Sequence, residues 1–146
     1  MKKTKIDRHH EERFQRALDF VPNLSSKELI EGWKKQLDRE WRVEALKDFV
    51  KITSSHALVD VWSRPGLDIN TRIYLNLAAM ICLRSKQELK IYVGHAIRHG
   101  ITPEQIVEVL LQMSAYAGMA TANEGYEAIL ETFRELGIDQ RKKPKK

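Results

Sequence analysis

Between Ile73 and Leu83 every residue except Asn76 is apolar. A helix that is apolar on all sides must be covered on all sides. The run is far shorter than the ~18 uninterrupted apolar residues of a membrane span. In a chain of 146 residues it therefore predicts a buried central helix, covered partly by its own domain and partly by another subunit. Asp68 stands where a cap would open this helix. No segment of the chain alternates apolar and polar residues with period two, so nothing reads as a half-buried strand. The chain is expected to be all-α, a compact bundle of about six to seven helices.

The rest of the sequence supports that reading. Residues 8–20 pattern as a short amphipathic helix with Phe14, Ala17, Leu18 and Val21 on one side, ended by Pro22-Asn23. Ser25-Ser26-Lys27-Glu28 has the form of a capping box, opening a charged helical stretch in which Trp33, Leu37 and Trp41 recur every four residues. A helix over 43–62 follows, with Leu46, Phe49, Val50, Leu58, Val59 and Trp62 as its core candidates. Arg64-Pro65-Gly66 breaks the chain before the apolar helix. Helix 86–99 stops at Gly100. Thr102-Pro103-Glu104-Gln105 opens the next, with Thr at N-cap and Pro at the first helical position. Tyr116-Ala117-Gly118 interrupts, and a last helix covers about 120–136. The organisation expected is an N-terminal helical extension over 1–42, a helical domain over 43–137 and a basic disordered tail over 138–146.

Charge and cysteine content narrow the function classes. The net charge is +5, but the last six residues hold five of the 25 basic groups and none of the 20 acidic ones. The rest of the chain is balanced, 20 against 20, whereas a nucleic-acid binder carries its basic stripe on the fold itself. No nucleic-acid partner and no membrane partner is expected. One cysteine, Cys82, excludes an intramolecular disulfide and any two-cysteine redox centre. It reads as an inert core thiol, and the composition suits a reducing cytoplasm. The basic start has no apolar run behind it, so no secretion signal is expected.

Helix 86–99 carries the chemistry. Glu88, Tyr92, His95 and His99 follow one another at steps of four, three and four, which puts them on one face. A carboxyl, a phenol and two imidazoles together can bind a ligand or move protons. A partly exposed face that only meets water is the plain alternative. His95 and His99 also stand at i and i+4, a spacing that suits a metal, but no carboxylate partner completes the three or four ligands required. No metal is expected.

Trp62-Ser-Arg-Pro-Gly-Leu-Asp68, then Thr71-Arg72, Glu88-Leu-Lys-Ile-Tyr92, Gly100-Ile-Thr-Pro-Glu-Gln-Ile106 and Tyr116-Ala-Gly118 come in an order and spacing that resembles the carboxymuconolactone decarboxylase family, over roughly residues 56–136. The resemblance implies a helical, cofactor-free homo-oligomer, trimer or hexamer, acting on a small carboxylated lactone in aromatic-compound degradation. It implies that Glu88 and an imidazole face a pocket, and that Arg64 and Arg72 bind substrate carboxylates, which an Arg fork grips in two-point fashion. His56 stands where the decarboxylase branch tends to have an aromatic and is a candidate pocket residue. Position 92 is Tyr where the family generally has His. A phenol titrates near 10 rather than 6.5, so Tyr92 is expected to donate a hydrogen bond and His95 to supply the imidazole. Peroxidase-type relatives use Cys-x-x-Cys and a His; those positions here are Ser85, Glu88 and Tyr92, which exclude thiol chemistry. The family's Pro after Tyr-Ala-Gly has become Ala120, while Asn123 is kept.

Overall fold

The computed structural model describes residues 5–25, 30, 31, 35 and 43–138. Among these every regular element is helical, as the lack of period-two patterning predicts. The chain divides into two compact units, one reaching to Asp68 and one starting at Ile69.

In the first unit, α1 spans Lys5–Phe20 and ends in a short 3₁₀ turn at Val21–Asn23, where Pro22 sits. Phe14, Ala17 and Val21 are buried at helical spacing, as expected. Helix α2 spans Glu44–Ser55 and packs on α1. Lys51 crosses between them, its Nζ 2.8 Å from a Glu11 carboxylate oxygen and 5.9 Å from the centre of the Phe14 ring. The sequence suggests one helix over 43–62, but from His56 to Trp62 the chain widens into a π-helix. The Ser63 N–H accordingly donates to Leu58 O, five residues back, at 3.1 Å. Trp62 is buried, but Leu46 and Phe49 are 49% and 64% exposed, so the apolar stripe of α2 is only partly core. Periodicity marks an apolar face; it does not say what covers it. The Ser25–Glu28 capping box, the Trp33, Leu37 and Trp41 recurrence and the basic tail from 139 onward lie outside the described residues.

The second unit is a ring of four helices: α3 (Ile69–Cys82), α4 (Lys86–Arg98), α5 (Pro103–Ala117) and α6 (Met119–Glu135). Helix α3 packs on α4 and α5, and α6 packs on the same two from the other side. The core is built by residues one turn apart: Ile73, Leu77 and Ile81 on α3, Leu89, Val93 and Ala96 on α4, Ile106 and Leu110 on α5, and Ala122, Ile129 and Phe133 on α6. Gly125 lets α6 come close. A Cβ there would sit 3.1 Å from Leu110 Cδ1 and 3.3 Å from Ile81 Cγ1.

The helix ends follow the expected chemistry where the sequence signals are strong. Thr102 and Gln105 form a reciprocal capping box: the Gln105 N–H donates to Thr102 Oγ1 at 3.2 Å, and the Thr102 N–H to Gln105 Oε1 at 2.9 Å. Gly118, with φ +89° and ψ 154°, turns α5 into α6 through a region that L-residues avoid. Lys90 Nζ reaches Glu135 at 2.7 Å and Glu131 at 3.4 Å, tying α4 to α6 at the surface. The pair of carboxylates holds the Lys90 ammonium above its ordinary pKa, with the Glu135 hydrogen bond the larger cause.

Helix α3 is covered by its own chain on one side only. Its Ile73, Leu77 and Ile81 face is closed, while Leu75 is 57% exposed and Leu83, just past its end, 71%. One expectation is corrected: Cys82 is likewise exposed, its Sγ 3.6 Å from Met113 Sδ, rather than a core thiol. Both exposures have one cause: four helices in a ring close only the inner side of each.

Candidate active site

Glu88, Tyr92 and His95 belong to α4, and Arg72 to the first turn of α3, in the same unit. Arg64 and His56 belong to the first unit. Arg64 is exposed in the turn after the π-helix. His56 is also exposed, with Nδ1 3.3 Å from an Asp60 carboxylate oxygen. That carboxylate also takes a hydrogen bond from the Arg13 guanidinium, which, ahead of His56, holds Asp60 below its ordinary pKa. His56 is thus part of a surface charge cluster on α1 and the π-helix. Arg72 is buried, with 9% of its surface exposed.

The α4 face brings three of the expected groups together. Tyr92 and His95 meet edge to face, with ring centroids 5.6 Å apart and planes at 75°. His95 is 7% exposed, Tyr92 is part-buried and Glu88 is exposed, so the row runs from solvent at the N-terminus of α4 into the unit. His99, at the helix C-terminus, has Nε2 buried with no hydrogen-bond partner. Among the described residues no group of three or more His, Cys, Asp or Glu converges as metal ligands.

The first two groups of the row are tuned apart. The Ser85 hydroxyl donates to the Glu88 carboxylate, and this bond, followed by one from the Glu88 backbone N–H, holds Glu88 below the ordinary carboxyl range. Burial, and secondarily the Glu88 charge, push the Tyr92 phenol above its ordinary value. At neutral pH the face therefore presents an anion beside a protonated hydroxyl. One can accept a proton; the other can only donate a hydrogen bond.

Ser85 is the residue that sequence reasoning missed. The signal was present: Ser85-Lys86-Gln87-Glu88 has the S-x-x-E spacing of a capping box at the start of α4. The structure places Ser85 at the N-cap, but its hydroxyl bonds the Glu88 carboxylate and makes no bond to the helix backbone.

The family model described as "Carboxymuconolactone decarboxylase family" matches residues 47–131. The chain belongs to this family. The match runs through α4 and covers Arg64, Arg72, Glu88, Tyr92 and His95. The chain is 34% identical, over 92 residues, to a 4-carboxymuconolactone decarboxylase of Acinetobacter baylyi, an alignment spanning 63% of this chain and 69% of the relative. It is 32% identical over 76 residues to a nitrosuccinic acid decarboxylase of Metarhizium robertsii, spanning 52% of this chain and 53% of that protein. Both relatives are decarboxylases by name, which supports decarboxylase activity in general for this member of the family. No helix among the described residues is long and apolar enough to cross a membrane.

An open groove of about 510 Å³ lies elsewhere on the second unit, between α3 and α5, lined by Thr71, Tyr74, Leu75, Gln105, Glu108 and Met113 among others. It does not include the α4 row. Beside the α4 N-terminus, Arg84, Ser85, Lys86, Glu124 and Gly125, among others, line a shallow dent with no room for a water molecule.

Proposed function

We propose that the protein decarboxylates a small carboxylated lactone of the 4-carboxymuconolactone type, without a cofactor and as a homo-oligomer of the cytoplasm. The observation that carries the reading is the α4 face, where an ionised Glu88, a protonated Tyr92 and a buried His95 stand in a row.

The chemistry needs little more. As CO2 leaves, the C–C bonding pair stays on the ring carbon and passes through the ring double bond into the lactone carbonyl, giving a dienolate. The substrate is its own electron sink. The protein must hold the carboxylates, stabilise the oxyanion and deliver one proton to carbon. Arg72 is assigned to the carboxylates. Tyr92 is assigned to the oxyanion, because a fixed donor aimed at developing charge is often the largest catalytic contribution. Glu88 and His95 carry the proton step: the Glu88 carboxylate takes up a proton from solvent by way of His95 and delivers it to the ring carbon, ending as a carboxylate again.

The relative named for nitrosuccinic acid favours one alternative substrate class. A nitro group next to the departing carboxylate also accepts the electron pair, as a nitronate, so the same protein tasks apply. Incubating the purified protein separately with 4-carboxymuconolactone and with nitrosuccinate, while following CO2 release, separates the two. The proposal expects turnover of the lactone. Release from nitrosuccinate alone would move the assignment to the nitro acid, and release from neither would overturn it.

A further inference from the structure

Helix α3 ends at Cys82 and α4 begins at Lys86, so the joint between them is very short. It is closed by two backbone bonds: the Ser85 N–H donates to Met80 O at 3.0 Å and the Arg84 N–H to Ile81 O at 3.1 Å. This is the paired pattern of a helix end that normally has glycine in the left-handed position. Here that residue is Arg84, with φ +55°, the one described non-glycine residue with positive φ. Its Nε lies 3.7 Å from a Glu124 carboxylate oxygen on α6. A conformation disfavoured for a side-chain-bearing residue is thus kept at the joint that places Ser85.

Ser85 is held from both sides. Its N–H is bonded back into α3, and its carbonyl accepts the Leu89 N–H at 2.9 Å in the first turn of α4. With the backbone fixed, the hydroxyl is delivered to the Glu88 carboxylate one turn on. The position does not demand this: the hydroxyl makes no cap to the helix backbone, so its side-chain bond serves Glu88 alone. The charged and titratable groups around the joint are Arg84 and Lys86 on the joint and α4, Glu124 on α6 and Tyr92 on α4.

We propose that Ser85 is the positioning residue of the decarboxylation site: its hydroxyl fixes the Glu88 carboxylate in one orientation at the mouth of the Glu88–Tyr92–His95 row. The inference rests on the reading of Glu88 as the carboxylate of that site. Ser85 touches no substrate; it acts through Glu88.

The test uses Ser85→Ala and Ser85→Thr, with the Glu88 carboxyl carbon followed by NMR as pH is varied and turnover measured in parallel. Ser85→Ala leaves the backbone bonds of the joint in place and is expected to fold. Its Glu88 midpoint should rise toward the ordinary carboxyl range. With Glu88 required as a carboxylate, the acid limb of the pH–rate profile should move to higher pH with it. On the plateau kcat should fall on the order of tenfold with KM little changed, less than the 10²-fold that a displacement of about 1 Å can cost. Ser85→Thr, which keeps the hydroxyl, should restore both readouts. An unchanged Glu88 midpoint in Ser85→Ala overturns the proposal, as does a loss of turnover that Ser85→Thr does not rescue. The NMR arm needs no substrate. A Glu88 midpoint that moves as expected in a protein that turns over no lactone would locate the failure in the proposed reaction and not in the Ser85–Glu88 coupling.

Discussion

Helices α3 and α4 lie side by side in the same unit and divide polar and apolar residues in opposite ways. By composition α3 is the core helix and α4 the surface helix. Yet α3 leaves Leu75 more than half exposed and buries Arg72, while α4 buries His95 and part-buries Tyr92. An exposed leucine is ordinary for a folded surface; a buried arginine or histidine is not. The informative residues on each helix are the ones that break its average, and three of the four expected site residues in this unit, Arg72, Tyr92 and His95, are of that kind.

The contrast is sharpest in stability. Leu77→Ala empties a fully buried position on α3 and is expected to cost about 2–5 kcal/mol in chemical denaturation. Leu75→Ala on the opposite side should cost the folded chain little. In an oligomer closed over that side, Leu75→Glu should lower the mass seen by light scattering. A protein that is monomeric before mutation would contradict the expected trimer or hexamer.

On α4 the largest side-chain effect other than that of Glu88 should come from Tyr92→Phe. Removing one donor to a developing oxyanion costs about 10²–10³-fold in kcat, with folding retained. The phenol's raised pKa also sets a pH signature. Its neutral form is favoured in the folded state, so this contribution to stability is complete below the unfolded phenol's pKa. It is lost as pH rises through the higher folded value. Glu88 has the opposite sign: its contribution is present above the unfolded carboxyl pKa and lost as pH falls through the depressed folded value. Wild-type turnover should therefore hold across neutral pH, with its acid limb below the ordinary carboxyl range.

Packing between the helices gives the next effect. Gly125→Val pushes a branched side chain against Leu110 and Ile81 and should destabilise by about 1–3 kcal/mol in thermal or denaturant unfolding. The smallest effect is expected at His56. Its side chain is 72% exposed in the Asp60 cluster, and His56→Ala should change stability by no more than about 0.5 kcal/mol. A loss of turnover in that variant without a loss of stability would restore His56 as a substrate contact.

Helix order and most helix ends were legible because they are local. Thr102-Pro103 and Gly118 announce themselves by backbone chemistry, and the one-turn spacing of Ile73, Leu77 and Ile81 fixes a face. What covers a face is not local, which is why Leu46 and Phe49 on α2 and Cys82 were expected to be more buried than they are. The π-helix at 56–62 was also invisible, since its hydrogen bonds shift by one residue with no change of residue type. At the site, the step pattern put Glu88, Tyr92 and His95 on one face. The Ser85 contact was hidden because the same four residues satisfy a capping pattern, and sequence cannot say which partner the hydroxyl chooses.

The central claim is that the α4 row, led by Glu88, performs a decarboxylation. CO2 release from 4-carboxymuconolactone, compared between wild type and Glu88→Gln at matched folded concentration, tests it most directly. The account predicts steady release by the wild type and, because the exchange removes the group that carries the proton, a loss of at least about 10²-fold in a Glu88→Gln protein that melts like wild type. Equal rates from the two proteins would contradict it.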